Sequence, residues 1–432
     1  MQFYAVFHSP GTPPSTVTNR GQAGKSGAAA RPVRIALWGN FGTLNLGNEC
    51  TLAAAINNLR RRVPDAELIS VCSEPDDVAS RHGIVAVAMG ATEPCAAGSR
   101  SPKPLRAWRR LRLEVADWLR ALRVTRQIRA LLITGTGILT DHGEGTLGLP
   151  YHLFKWSLAA KLHGCKLLFV SVGVESITRP LARFFLKSAL RIADYRCYRD
   201  EHSAALLQRA GFDTSRDPIF PDLAFSLPAP PPSAAGGAQR RVAVGIFNYR
   251  ECGRGSAAAA AQYAAYLDRL CSFILWLLEH HYTVRVVIGD FAYDEEVRAD
   301  LRARLQARGL DTEGASFADE PATSFEQLLA QLATVDLVIA SRFHNVLLAL
   351  LLGKPVVSVS YEAKNEALMR QMGLGHYCQT LDGLDLQRLI EQFLDLEKNA
   401  AALREIVAEQ TAANRSRLEL QYDSIVASVS GT

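Results

Sequence analysis

Residues 335–344, Val-Asp-Leu-Val-Ile-Ala-Ser-Arg-Phe-His, constrain this chain more than any other stretch. An apolar run ends abruptly in an arginine and a histidine two residues apart. An apolar helical pattern, Asn345 to Leu352, follows and closes on Gly353. It leads through Pro355 into a second apolar run, Val356 to Val359. Strand, charged turn, helix, strand is a βαβ unit, which demands a parallel sheet and a right-handed crossover. Ligands of such sheets bind at the carboxyl ends of the strands. Arg342 and His344 stand there, beside a helix N-terminus that favours anions. The bland alternative is a capped helix with His344 stacked in an interface. Arg and His at the end of a buried strand are costly without a partner, so the chemistry is expected here.

The same grammar recurs along the chain, whose 432 residues exceed one ordinary core. Strands are predicted at 33–39, 67–72, 130–134, 166–172 and 196–198, and again at 241–247, 283–288, 337–340 and 356–360. Helical patterns lie between them, which implies parallel sheets covered on both faces. Leu227-Pro228-Ala229-Pro230-Pro231-Pro232 running into Gly236-Gly237 is the best linker. The expected organisation is a disordered tail over 1–31, an N-terminal αβα domain over 32–226, a linker over 227–240, and a C-terminal αβα domain with terminal helices over 241–432. The fold class is α/β, two Rossmann-like αβα domains facing an interdomain cleft.

Hydrophobic content of 48% and charged content of 21% describe a globular chain. No apolar stretch reaches the roughly 18 residues of a membrane span. The eight cysteines are scattered, with no CxxC pair and no clustering with histidine, so a reduced cytoplasmic protein with no metal site is expected. The net charge of +5 is uneven: residues 100–130 hold ten Lys or Arg against Glu114 and Asp117, a local net of +8. In that segment Leu105, Trp108, Leu111, Val115, Leu119 and Leu122 recur at helical spacing. The first reading is a helix docked on the first domain through that stripe. The second is peripheral contact with an anionic membrane, at its cytoplasmic face. No nucleic-acid partner is expected.

Other strand ends carry weaker signals. The loop Gly39-Asn40-Phe41-Gly42-Thr43-Leu44-Asn45-Leu46-Gly47-Asn48-Glu49 lets backbone N–H groups approach an anion, yet a simple tight turn explains it equally well. It is neither a Walker A loop nor a dinucleotide fingerprint. Thr134-Gly135-Thr136-Gly137-Ile138-Leu139-Thr140-Asp141 is a second Gly-rich strand end, for a ligand or for packing. Arg199-Asp200 closes another, as ligand contact or as a surface ion pair of little worth.

Taken in order, these segments resemble the polysaccharide pyruvyl transferase family. The matching pieces are Gly39–Glu49, Gly135–Asp141, Arg199-Asp200-Glu201-x-Ser203, Pro221-Asp222-Leu223-Ala224, Arg342-Phe343-His344, Gly353-Lys354-Pro355 and Tyr361-x-x-Lys364, spanning about residues 33–375. The resemblance implies a GT-B-like arrangement and transfer of a pyruvyl group from phosphoenolpyruvate to a sugar as a ketal, in the making of bacterial polysaccharides or their lipid-linked precursors. Two departures stand out. The first loop ends Gly47-Asn48-Glu49 where the family has Gly-Asp-Glu, and Ser171-Val172-Gly173-Val174-Glu175-Ser176 replaces a Gly-Gln-Gly-x-Gly-Pro type run. Both fall on the expected acceptor side.

On that resemblance the site is assigned as follows. Phosphoenolpyruvate carries a phosphate and a carboxylate, and Arg342, Arg199 and Lys364 are assigned to them. Ketal formation needs the enol carbon protonated, and His344 is the natural acid. Asp222, with Asp141 second, is assigned as acceptor of the hydroxyl proton. Asn45, Asn48, Gly135, Gly137 and Asp141 are assigned to the glycan acceptor. Phosphoenolpyruvate is the donor substrate, and no cofactor or metal is needed. The rivals are a nucleotide-sugar glycosyltransferase on the same fold and a non-catalytic glycan-binding member.

Overall fold

The apolar runs become buried parallel strands. The computed structural model describes residues 32–90, 103–141, 147–230, 240–249 and 257–430. The tail expected at 1–31, most of the linker, and Cys95 and Cys252 lie outside them. The first sheet holds β1 (Arg34–Trp38), β2 (Glu67–Cys72), β3 (Val85–Ala88), β4 (Ala130–Thr134), β5 (Lys166–Val172) and β6 (Tyr195–Tyr198). The second holds β7 (Arg241–Gly245), β8 (Thr283–Val287), β9 (Phe317–Ala318), β10 (Leu337–Ala340), β11 (Val356–Ser360) and β12 (Cys378–Thr380). The orders are β3-β2-β1-β4-β5-β6 and β12-β11-β10-β7-β8-β9, all parallel. Numbered within itself, each sheet reads 3-2-1-4-5-6, the doubly wound order. Its switch points fall between β1 and β4 and between β7 and β10. Strands β9 and β12 escaped the sequence reading because they are edge strands of 2 and 3 residues, whereas edge strand β3 was missed although residues 84–89 are all apolar.

The helices of the first half are α1 (Leu46–Arg62), α2 (Pro75–His82), α3 (Lys103–Thr125), α4 (Leu149–Leu162), α5 (Pro180–Arg191) and α6 (Glu201–Arg209). Those of the second are α7 (Ala257–Glu279), α8 (Phe291–Ala307), α9 (Phe325–Ala333), α10 (Phe343–Leu351), α11 (Ala363–Gln371), α12 (Leu386–Lys398) and α13 (Ala400–Ser430). One buried cluster joins Leu52 and Leu59 of α1, Phe225, Leu328 of α9, Val346 of α10 and Tyr422 of α13. The two halves therefore share a core. The domain boundary expected at 241 does not contain the end of the chain: α13 crosses back to the first sheet. Gln421 Nε2 donates to Ser171 Oγ at 3.1 Å, and Arg62 of α1 pairs with Glu419 and Asp423.

Helix α3 docks on the opposite side from the one expected. Trp108, Leu111, Val115 and Leu119 are 58%, 55%, 52% and 47% exposed, while Asp117 and Ala121 are buried. The cause lies on α4, where Lys155 is wholly buried and needs counter-charges. Glu114 and Asp117 of α3 supply them at 3.2 and 3.6 Å, and Glu114 also accepts from Tyr151 Oη at 2.5 Å. A buried lysine thus selects the polar face of α3 and leaves Trp108, Leu111, Val115 and Leu119 outside, while Leu122 packs against the core.

Candidate functional site

The two switch points face one another. Loop β1–α1 is stitched to the β8–α8 corner, with Leu46 N donating to Gly289 O at 3.1 Å and Asn45 Nδ2 to Asp290 Oδ2 at 2.8 Å. Asn45 is the N-cap of α1, and its side-chain oxygen accepts from the N–H groups of Gly47 and Asn48 at 3.1 and 3.2 Å. Anion contact and a simple tight turn were equal readings for those N–H groups. The N–H groups are satisfied within the loop. Gly47 serves a different purpose: a Cβ built on it would lie 2.0 Å from His344 Nδ1, so the glycine lets the imidazole lie against α1.

A cavity of about 530 Å³ opens between the halves, within the range of small-molecule sites. Arg342, His344, Arg199, Lys364, Asn45, Asn48 and Gly137 all line it. Three assigned residues do not. A Cβ on Gly135 would lie 2.4 Å from Ser171 O, so that glycine serves strand packing. Asp141 is buried and accepts from Thr178 N at 2.9 Å and Arg179 N at 2.6 Å, holding the entrance to α5. Asp222 is 3% exposed and lines a neighbouring cavity with Arg199, Phe343 and Lys364.

Asp222 instead stands next to His344 and Arg199. Its Oδ1 accepts from Ala224 N at 3.0 Å, while Oδ2 faces His344 Nε2 at 3.7 Å and Arg199 Nη1 at 3.6 Å. Burial pushes the carboxyl up, but His344 and Arg199 outweigh burial and hold it below its ordinary value. His344 Nε2 is enclosed on this side, and Nδ1 lies against Gly47 of α1.

Each cation has its own carboxylate. Arg342, the N-cap position of α10, is held by Asp294 of α8 through Nε at 3.0 Å and Nη2 at 2.5 Å, and lies 4.5 Å over the Phe247 ring. Asp294 is wholly buried and also accepts from Gly289 N and Asp290 N at 3.1 and 3.0 Å. This grip from behind fixes the guanidinium and leaves Nη1 for a ligand. Burial disfavours the Arg342 charge, yet Asp294 raises its pKa above the ordinary arginine value. Arg199 stacks 4.5 Å over Phe343 and donates from Nε to Asp200 at 3.1 Å. Lys364 meets Glu175 Oε1 at 3.1 Å across the cleft and also pairs with Glu362. Burial opposes its charge, and chiefly Glu175 overcomes this, so its pKa rises.

Sequence reasoning missed Asp294 as a partner and named Glu175 only as part of a departure from the family pattern. Glu175 lines the cavity beside Gly137, where a Cβ would lie 2.5 Å from its Oε1. Helices α10 and α11 begin at this cavity, and neither N-cap, Arg342 or Glu362, gives a side-chain cap. Helices α1 and α6 of the first half are capped by Asn45 and Asp200. Two uncapped helix N-termini beside Arg342 and Lys364 favour negative charge at the second-domain wall.

Glu49 points away from this wall. It is buried, Oε1 accepts from Gly42 N at 2.7 Å, and burial raises its carboxyl to about 7. A carboxyl raised on folding holds its proton more tightly in the native state. Its contribution to stability is full below about pH 4.5 and is lost as pH rises through about 7. The loss over that interval is about 3 kcal/mol. In urea unfolding, Glu49→Gln is expected to match the wild type near pH 5 and to exceed it near pH 8 by about 1–3 kcal/mol. Parallel pH profiles for the two proteins would refute this.

Comparison with known proteins follows this layout. A family model described as polysaccharide pyruvyl transferase matches residues 45–363. A search of curated proteins finds no match. Among solved structures, UDP-GlcNAc 2-epimerase from Neisseria meningitidis, bound to UDP-GlcNAc, has a TM-score of 0.55 at 12% identity, covering 90% of this chain and 98% of that one. A putative UDP-N-acetylglucosamine 2-epimerase from Listeria monocytogenes has a TM-score of 0.55 at 14% identity, covering 92% and 96%. A glycosyltransferase from Rickettsia africae has a TM-score of 0.55 at 12% identity, covering 91% and 99%. At such identities the likeness shows the fold alone, two Rossmann-like domains in the GT-B arrangement.

Proposed function

The chain belongs to the polysaccharide pyruvyl transferase family, and from that premise we propose that it transfers a pyruvyl group from phosphoenolpyruvate to a sugar of a bacterial polysaccharide or its lipid-linked precursor, forming a ketal. The observation that carries this reading is the second-domain wall: two uncapped helix N-termini, Arg342 and Lys364, with His344 between the halves. A doubly anionic small molecule fits that wall better than a neutral one.

Arg342 and the start of α10 hold the phosphate, and Arg199 with Lys364 holds the carboxylate. As the carboxylate takes Lys364, Glu175 is freed on the acceptor side. His344 then protonates C3 of the enol, and C2 becomes oxocarbenium-like. A sugar hydroxyl adds to C2 and gives its proton to Glu175. A second hydroxyl of the same sugar displaces phosphate from C2; its proton returns to His344, and the Glu175 proton leaves with inorganic phosphate. Asp222 supports the imidazolium and stays ionised. The chemistry uses the side chains present and the substrate.

The test is to incubate the protein with phosphoenolpyruvate and extracted glycans, and to follow phosphate release together with a ketal on the glycan by mass spectrometry. Both signals are expected together. Calorimetric binding of a UDP-sugar at the same site, with no affinity for phosphoenolpyruvate, would turn the reading to glycosyl transfer. Binding of neither would leave a glycan-binding protein.

A further inference from the structure

The exposed stripe of α3 has no partner within the described chain. We propose that the α3–α5 side of the first domain docks on the surface of an anionic membrane. Trp108, Leu111, Val115 and Leu119 form one row along α3, and Arg109, Arg112 and Arg123 are exposed along its flank. The two carboxylates of α3, Glu114 and Asp117, are both turned inward to Lys155. Helix α5 has no carboxylate at all. It exposes Leu181 and Phe184, 41% and 58% accessible, among Arg183, Lys187 and Arg191. Ala121 of α3, Leu153 of α4 and Leu186 of α5 share one core cluster on the same face of the first sheet. The outer sides of these helices therefore look out from the same side of the molecule.

Apolar side chains set among cations, with no carboxylate on α5 and those of α3 paired to Lys155, match an interface in which acyl chains lie beneath negative headgroups. A second copy fits worse, since a two-fold contact through this surface would set arginines against arginines. A nucleic acid would use the cations and leave a Leu and Val row without purpose. Among the described residues no helix is long and apolar enough to cross a membrane, so the contact is at the surface.

The docking side also borders the cavity. Ser176 lines the cavity and Leu181 begins the α5 patch five residues later, at most ~18 Å of chain. Asp141 holds the segment between them by accepting from Thr178 N and Arg179 N. A glycan carried on a lipid would so meet the cavity at the membrane surface. This last step rests on the proposed function, whereas the docking itself does not.

The experiment is co-sedimentation of the full chain with vesicles of phosphatidylcholine alone and of phosphatidylcholine with phosphatidylglycerol, without phosphoenolpyruvate. Binding is expected only to the anionic vesicles, and to weaken with added salt. Replacing Arg109, Arg112 and Arg123 together by Glu is expected to reduce binding on the order of 100-fold. The pair Trp108→Glu and Leu111→Glu should also release the protein. In both variants the thermal midpoint and phosphate release with a water-soluble acceptor should be unchanged, because none of these residues lines the cavity. Equal binding to both vesicle types, or no binding to either, overturns the proposal. So does a wild-type dimer that Trp108→Glu splits, which would assign the surface to a second copy. A protein that binds anionic vesicles but releases no phosphate would sink the reaction and leave the docking standing.

Discussion

Replacing His344 by alanine is expected to lower turnover by about 10²–10⁴ while phosphoenolpyruvate still binds, the usual worth of a positioned general acid. The expectation rests on three contacts that hold one ring. Gly47 admits the imidazole against α1, Asp222 Oδ2 lies 3.7 Å from Nε2, and Phe343 crosses it edge-on with centroids 5.2 Å apart. The ring sits where both switch points meet, with Arg342 and Lys364 on the same wall. Binding should persist in the variant because those cations and the two uncapped helix N-termini remain. Calorimetry with phosphoenolpyruvate separates the two effects. Asp222→Asn gives the companion result: kcat should fall with little change in KM, because its carboxylate stands next to the acid and outside the cavity that Arg342 and Lys364 line. Near wild-type turnover in His344→Ala would remove the acid assignment altogether.

Asp294→Ala is expected to destabilise the protein by about 3–5 kcal/mol, the effect of stranding a buried charge. Asp294 is wholly buried, and besides Arg342 it accepts from Gly289 N, Asp290 N and Asn248 N. Removing the carboxylate leaves the guanidinium and three N–H groups without their acceptor. Urea denaturation measures the loss directly. A double substitution, Asp294→Leu with Arg342→Met, should recover much of that stability, since exchanging a whole buried pair for apolar side chains is often neutral. It should recover no phosphoenolpyruvate binding. If the double variant is as unstable as the single one, the ion pair is not what Asp294 contributes.

Much of this site was legible before any coordinates. Strand β10 and strand β11 fall where the apolar runs at 337–340 and 356–360 placed them, and Arg342, His344 and Lys364 follow from those strand ends. One boundary differs with consequence. Helix α10 begins at Phe343 rather than Asn345, so His344 lies in its first turn and the helix N-terminus itself is part of the wall. Asp222, assigned to take the hydroxyl proton, and Asp141, assigned to the glycan acceptor, lie outside the cavity that Arg342 and His344 line. In a sequence a lone carboxylate looks alike whether it faces a cavity or caps a neighbouring backbone. Gly135 and Gly47 show the same limit. Both needed to be glycine, but for a carbonyl in one case and an imidazole in the other.

What the sequence determined by itself is what repeats within ten or fifteen residues. Period-two and period-3.6 patterns set the strands and helices, the βαβ grammar set two parallel sheets, and strand ends singled out the cations. Only the tertiary structure decided who pairs with whom. Asp294 stands 48 residues before Arg342, and Glu175 stands 189 residues before Lys364. Lys155 reaches back to Glu114 and so turns the apolar stripe of α3 outward. Buried charge explains the division. Desolvation makes each such group demand a counter-charge within a few ångströms, and that partner is chosen by distance in space, which local periodicity does not carry.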